Sequence, residues 1–186
     1  MAGIYIHIPF CKKACNYCNF HFSTNHQLMD QMIEAMVHEI ALQKTYLSEP
    51  IETLYFGGGT PSLLNQAHLA MLMEAVKLHF NLMPNAEITL EANPDDIDTA
   101  HLKDWVRLGI NRLSIGIQSF RNEDLQWMGR AHNANQAFTC IGLAQAAGIQ
   151  NISIDLIYGG PSLSNEDWIN NLKMAINTGV PHLSCY

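Results

Sequence analysis

The stretch FCKKACNYCNF, residues 10–20, holds three of the chain's five cysteines, at Cys11, Cys15 and Cys18. A disulfide uses two cysteines and a closed structural zinc site uses four ligands, so the spacing C-x3-C-x2-C suits neither as it stands. Three chemistries fit. Three thiolates hold three irons of a cubane [4Fe–4S] cluster and leave the fourth iron open to a non-protein ligand. With His7 or His21 as a fourth ligand, the same cysteines make a zinc site. Cys15 and Cys18 alone form a C-x-x-C, which reads as a redox pair.

Composition narrows the setting. Ten Lys and Arg against 17 Asp and Glu give a formal charge of −7, and no basic run offers a nucleic-acid face. No apolar run reaches membrane-spanning length, so no transmembrane segment is expected. The opening MAGIYIHIPF alternates and has no charged n-region, which makes it a strand and not an export signal. A chain without such a signal is expected in the cytoplasm, where cysteines serve metal or redox chemistry more than structural disulfides.

The elements that must position the cysteines alternate regularly. Strands are predicted at 4–8, 53–57, 87–91, 113–118, 152–158 and 182–186, with helices at 27–47, 65–80, 99–108, 134–147 and 166–178. Asp98, Asn133 and Asn165 stand where helix N-caps belong, and Gly109, Gly148 and Gly179 where helices stop. Six strands separated by helices mean βα units and a parallel sheet, closed or nearly closed into a barrel. The cysteines follow the first strand directly, at the rim where βα barrels build active sites.

Strand phase predicts what the barrel holds. Ile4, Ile6 and Ile8 share one face, with Tyr5 and His7 on the other. Ile88 and Leu90 oppose Glu87, Thr89 and Glu91; Leu113, Ile115 and Ile117 oppose Ser114, Gly116 and Gln118; Ile152, Ile154 and Leu156 oppose Ser153 and Asp155. Parallel strands packed on both faces read as continuous apolar runs. The alternation therefore places aliphatics against the helices and polar side chains toward a lumen holding something polar. The chain stops at PHLSCY, on a strand with no covering helix, and reads as an incomplete core domain, 1–186, whose C-terminal domain is absent.

CKKACNYC after YIHIPF resembles the cluster loop of the radical S-adenosylmethionine (SAM) superfamily, in its coproporphyrinogen oxidase and heme chaperone branch. YFGGGTPS (55–62), EANPD (91–95), GINRLSIGIQSF (109–120), GRAHN (129–133) and DLIYG (155–159) fit in the same order. The resemblance implies an α/β fold, a partial (β/α)6 TIM-like barrel of parallel strands, here truncated at its sixth strand. It implies a [4Fe–4S] cluster on Cys11, Cys15 and Cys18, and SAM chelated to the open iron and cleaved by one electron. Gly58, Gly59 and Thr60, after the second strand, would admit the methionyl end of SAM. Glu91 would accept from its amino group, Gln118 and Asp155 from its ribose hydroxyls, and Arg130 would clasp its carboxylate. Tyr5 would face the lumen beneath the cluster loop and Tyr17 would pack on adenine. His7, inward beside the cluster, is a candidate for a supporting contact, and Cys140 reads as a small core residue.

Within that branch two activities separate. Oxygen-independent coproporphyrinogen III dehydrogenase carries a further cysteine two residues past the third, where this chain has Phe20, and a long extension ahead of the loop. Both departures favour a heme chaperone, which binds heme as cargo and passes it to an acceptor protein. Its partners would be heme or a porphyrin precursor, that acceptor and an electron donor; its heme motif would lie in the missing C-terminal region. A zinc-binding fold without SAM chemistry is the third reading.

Overall fold

The computed structural model describes residues 2–186; Met1, the first residue of the expected domain, lies outside them. Among the described residues six strands form one parallel sheet in chain order: β1 (Ala2–Ile8), β2 (Ile51–Gly58), β3 (Leu82–Ala92), β4 (Arg112–Gln118), β5 (Asn151–Leu156) and β6 (His182–Cys185). Neighbours in space are neighbours in sequence because each crossover carries helix: α1 (Met29–Leu42), α2 (Gln66–His79), α3 (Thr99–Leu108), the pair α4 (Asn122–Trp127) and α5 (Ala134–Ala146), and α6 (Asn165–Asn177). This is a partial, laterally open (β/α)6 barrel, with β1 and β6 as free edges. No described helix is long and apolar enough to cross a membrane.

Strand phase survives folding. Leu113, Ile115, Ile117, Ile152, Ile154 and Leu156 are fully buried between sheet and helices, each stabilising the fold by about 1.5–3 kcal/mol. Register carries the opposite faces around the lumen: Tyr5 pairs with Tyr55, Tyr55 with Thr89, and Thr89 with Arg112. Arg112 closes the floor, donating to Thr89 Oγ1 at 3.2 Å and Ser153 Oγ at 3.1 Å. Above this floor the lumen opens into a cavity lined by Glu91, Ser114, Gln118 and Asp155, with Ile157 as an aliphatic among them.

Several boundaries differ from expectation. β3 begins at Leu82, five residues early, because its first half extends below the floor where side-chain alternation is weak. Asn133 and Asp98 cap α5 and α3 as expected, but α6 is capped by Ser164, whose side chain accepts from Asp167 N, and not by Asn165. α4, too short for a periodic signal, is held by tertiary contacts instead. Its Asp124 is buried and accepts from Ser119 Oγ at 2.7 Å, Arg121 Nη1 at 3.0 Å and Ser162 Oγ at 3.2 Å. Through Leu125 O, which accepts from Arg130 N at 2.9 Å, α4 sets the position of Arg130.

Behind Arg130, His132 is only 4 % exposed, and its Nε2 donates to Ile117 O at 3.0 Å while Nδ1 has no partner. Burial, then the Arg130 charge, lowers its pKa from 6.5 to about 4. The unfolded chain therefore takes up this proton first. His132 contributes stability that is complete above the ordinary histidine range and is lost as pH falls from 6.5 to about 4, up to about 3 kcal/mol. Acid titration of unfolding should show a shallower slope across that window in His132→Gln than in the parent; equal slopes would refute the assignment.

Candidate functional site

The cysteine loop is built from the chain on both sides of it. Ser23 N donates to Pro9 O at 2.8 Å and Cys11 N to Ser23 O at 3.0 Å, so the loop closes on its own base. Lys12 reaches Asp95 at 2.8 Å and also Asp96, tying the loop to the 3-10 turn Pro94–Asp96. Asn16 Nδ2 donates to Trp127 O at 2.6 Å, and Asn16 N to Met128 O at 3.0 Å. A tight turn, Cys18 N to Cys15 O at 3.1 Å, sets the C-x-x-C pair.

All three cysteines are free, half-buried, and open on one cavity of about 550 Å³ at the C-terminal rim of the strands. The same cavity is lined by Tyr17, Gly58, Gly59, Thr60, Glu91, Gln118, Arg130 and Asp155, so nearly all the residues singled out from sequence come together. Tyr5 does not join them. It lies outside that cavity, 57 % exposed, with its ring stacked on Tyr55 at 5.8 Å and its hydroxyl 3.2 Å from His7 Nδ1. The open edge at β1 leaves it uncovered.

The inward carboxyls have partners that orient them. Glu91 accepts from Tyr55 OH at 2.8 Å and Gly58 N at 3.0 Å. Burial raises its pKa, the two hydrogen bonds hold it down in part, and nearby Asp155 adds to the rise. Asp155 is raised by burial as well, against Ser184 and Arg130. Burial raises the Cys11 thiol, with Thr60 acting in the opposite direction. Gln118 sits at φ +66°, a left-handed backbone, where the β4–β5 register slips; this strained strand end turns its side chain into the cavity.

Two glycines that line this cavity also let the first strand and the cysteine loop pack against β2. A Cβ on Gly59 would lie 2.6 Å from Phe10 O and 2.8 Å from Ile8 O, and one on Gly58 would lie 2.6 Å from the His7 ring. The space they leave is filled by the protein's own first strand and loop, which lets the cysteines approach β2. Arg130 departs from expectation. Its fork is occupied: Nη1 donates to Tyr17 OH at 3.2 Å and Cys15 Sγ at 3.6 Å, and Nη2 to Asn93 Oδ1 at 2.6 Å and Gly116 O at 2.8 Å. Only its buried Nε lacks a partner.

Asn93 and Gly116 were missed as site residues. Both stand inside motifs that drew attention, but their partners come from other strands and no local pattern marks them. Cys140 is buried in α5, with burial pushing its thiol up to about 12, as suits a core residue.

The donor set fits a thiolate-bound cluster with a polar, exchangeable ligand. Three free thiols line one cavity, which Arg130, Glu91 and Asp155 line as well. Among the described residues no three His, Cys, Asp or Glu side chains gather as around a single ion. Cubane irons occupy separate corners, so their thiolates need not converge. A zinc site with His7 or His21 would need that convergence, and His7 Nδ1 already lies 3.2 Å from the Tyr5 hydroxyl.

A parallel, open six-strand barrel with three cysteines after its first strand defines a class, and comparison places the chain in it. The sequence model of the Radical SAM superfamily matches residues 5–175, and the chain belongs to that superfamily. Membership implies a [4Fe–4S] cluster and SAM. The chain is 36 % identical over 187 residues to the heme chaperone HemW of Escherichia coli (strain K12), covering 99 % of this chain and 50 % of the relative. It is 39 % identical over 192 residues to that of Synechocystis sp., covering 98 % and 46 %. Among solved structures it is similar to coproporphyrinogen III oxidase (HemN) from Escherichia coli, a radical SAM enzyme, with a TM-score of 0.91 and 32 % identity over 98 % of this chain and 43 % of that one. The chain spans about half the length of the curated relatives it matches.

Proposed function

We propose that this chain is the cluster- and SAM-binding core of a heme chaperone, a protein that takes up heme and passes it to an acceptor protein. The observation that carries this reading is Phe20. It is 73 % exposed and lines the cysteine cavity at the position where the dehydrogenase pattern has a further cysteine. The similarity to HemW proteins, named heme chaperones, supports it. An electron donor completes the set of partners, and the cytoplasm is the proposed location.

Cys11, Cys15 and Cys18 would hold the cluster and leave one iron for SAM. When bound, that cluster supplies the electron that reduces the carbon–sulfur bond of SAM. The protein's own part is to bind and orient. Glu91, its two oxygens already directed by Tyr55 and Gly58, accepts from the SAM ammonium, and the two carboxyls complement a cofactor carrying sulfonium and ammonium charges. Gln118 and Asp155 face the ribose, Tyr17 the adenine, and Thr60 and the Gly58–Gly59 backbone the methionyl end. Arg130 takes the carboxylate only by exchanging one of the acceptors it now holds.

Glu91→Ala should weaken SAM binding to the reconstituted protein about 10- to 100-fold, the worth of one charge-assisted hydrogen bond. Because burial raises the Glu91 pKa, affinity in the parent should fall with decreasing pH sooner than an ordinary glutamate would require. Equilibrium dialysis with labelled SAM measures both, and an unchanged affinity in Glu91→Ala removes this role.

A second reading, oxygen-independent coproporphyrinogen III dehydrogenase, is favoured by the fold match to HemN. One experiment separates the two. The full-length protein, reconstituted anaerobically with iron and sulfide, is given reductant, SAM and coproporphyrinogen, and separately heme. Tight heme binding without release of carbon dioxide supports the chaperone; carbon dioxide release overturns it.

A further inference from the structure

Two donors aimed at cysteine sulfurs, Thr60 and Arg130, are joined through a single amide. Thr60 Oγ1 lies 3.4 Å from Cys11 Sγ and Arg130 Nη1 lies 3.6 Å from Cys15 Sγ. Asn93 stands between them: its Oδ1 accepts from Arg130 Nη2 at 2.6 Å and its Nδ2 donates to Thr60 Oγ1 at 3.4 Å. The directions are forced. A guanidinium only donates, so the Asn93 amide must present its oxygen to Arg130 and its nitrogen to Thr60. The Thr60 oxygen is then occupied as an acceptor, which frees its proton for Cys11. Thr60 is buried, so water does not compete for that proton. Gly116 makes room for the arrangement: a Cβ there would lie 3.2 Å from Arg130 Nη2.

We propose that Asn93 is a positioning residue that orients Thr60 and Arg130 as hydrogen-bond donors to the Cys11 and Cys15 sulfurs, and that this chain of bonds sets the reduction potential of the cluster. It rests on the reading of these cysteines as cluster ligands. A reduced cluster carries one more negative charge than an oxidised one, spread in part onto its sulfurs. Donors to those sulfurs, one of them cationic, stabilise the reduced form more and raise the potential. Asn93 touches neither sulfur; it acts by fixing which way the donors point.

The test is a redox titration of the reconstituted full chain without SAM, followed by the electron paramagnetic resonance of the reduced cluster. Iron and sulfide are assayed on the same samples. Thr60→Val, which keeps the shape and removes the donor, should lower the reduced-to-oxidised ratio at fixed potential about threefold, or about 28 mV at about 59 mV per decade. Thr60→Ser should restore the parent value. Asn93→Asp should also shift the potential downward, since a carboxylate oxygen facing Thr60 draws its proton from Cys11; Thr60→Val added to Asn93→Asp should then shift it less than in the parent. If Asn93→Asp does not load, the Thr60 pair decides alone. A fully loaded Thr60→Val with the parent's potential overturns the inference and leaves the cluster assignment standing. A parent that takes up no iron and sulfide overturns the assignment itself, and the inference with it.

Discussion

Replacing Cys15 with alanine is expected to abolish cluster loading while leaving the fold nearly as stable as before. A cubane held by three thiolates has no spare cysteine at the site: Cys140 is buried in α5, and Cys185, exposed on β6, is not among the residues that line the cavity. Loss of one sulfur leaves two, and iron should fall to background in an anaerobic reconstitution assayed for iron and sulfide. The loop itself should stay in place. Its anchors are Lys12 on Asp95 and Asp96, Asn16 on Trp127 and Met128, and the backbone bonds among Pro9, Cys11 and Ser23, none of which uses the Cys15 sulfur. Arg130 Nη1 keeps Tyr17 as acceptor. Stability of the cluster-free protein should therefore change by less than about 1 kcal/mol. A Cys15→Ala protein that still binds a full cluster, or one that unfolds, contradicts the placement of this sulfur.

Gly59→Ala should damage fold and site together. The added Cβ would meet Phe10 O at 2.6 Å, Ile8 O at 2.8 Å and Phe10 N at 2.9 Å, all main-chain atoms that cannot rotate aside. The Gly59 N to Ile8 O bond, 2.7 Å, holds the same two segments together. The start of the cysteine loop must move off β2, at a cost of about 2–3 kcal/mol, or roughly 5–10 °C in melting temperature for a chain of this size. Cys11 moves with it, so cluster loading should drop as well. Gly142→Ala is the matched control. It lies inside α5, and nothing is within 4 Å of its added Cβ, so alanine there should stabilise by about 0.5–1 kcal/mol. Thermal melts of the two variants should move in opposite directions; a Gly59→Ala protein that melts like the parent would mean the loop does not pack as described.

How far the site could be read in advance varies residue by residue. Glu91 and Asp155 were placed by alternation, a period-2 pattern that needs no knowledge of the partner strand. Cys11, Cys15 and Cys18 were placed by spacing and by following a strand. Tyr5 obeyed the same alternation yet ended outside the cavity, since phase sets a face and not whether a neighbour covers it. Gly58 and Gly59 announced a close approach, but not that His7 and the Phe10 backbone would be among the groups approaching. Arg130 matched a motif, while its four acceptors come from the cysteine loop, β4 and the segment after β3.

The sequence by itself determined the order of βα units, the aliphatic jacket, the polar lumen and the trio of thiols at its rim. All of these follow from short-range periodicity, capping and spacing, which act within one segment. Only the tertiary structure decided which donors face which sulfurs, that Asn93 links Thr60 to Arg130, and that α4 exists to hold Arg130 in place. Those depend on contacts between residues tens of positions apart, made when strands are brought side by side, and no local pattern records which distant side chain will fill a given space.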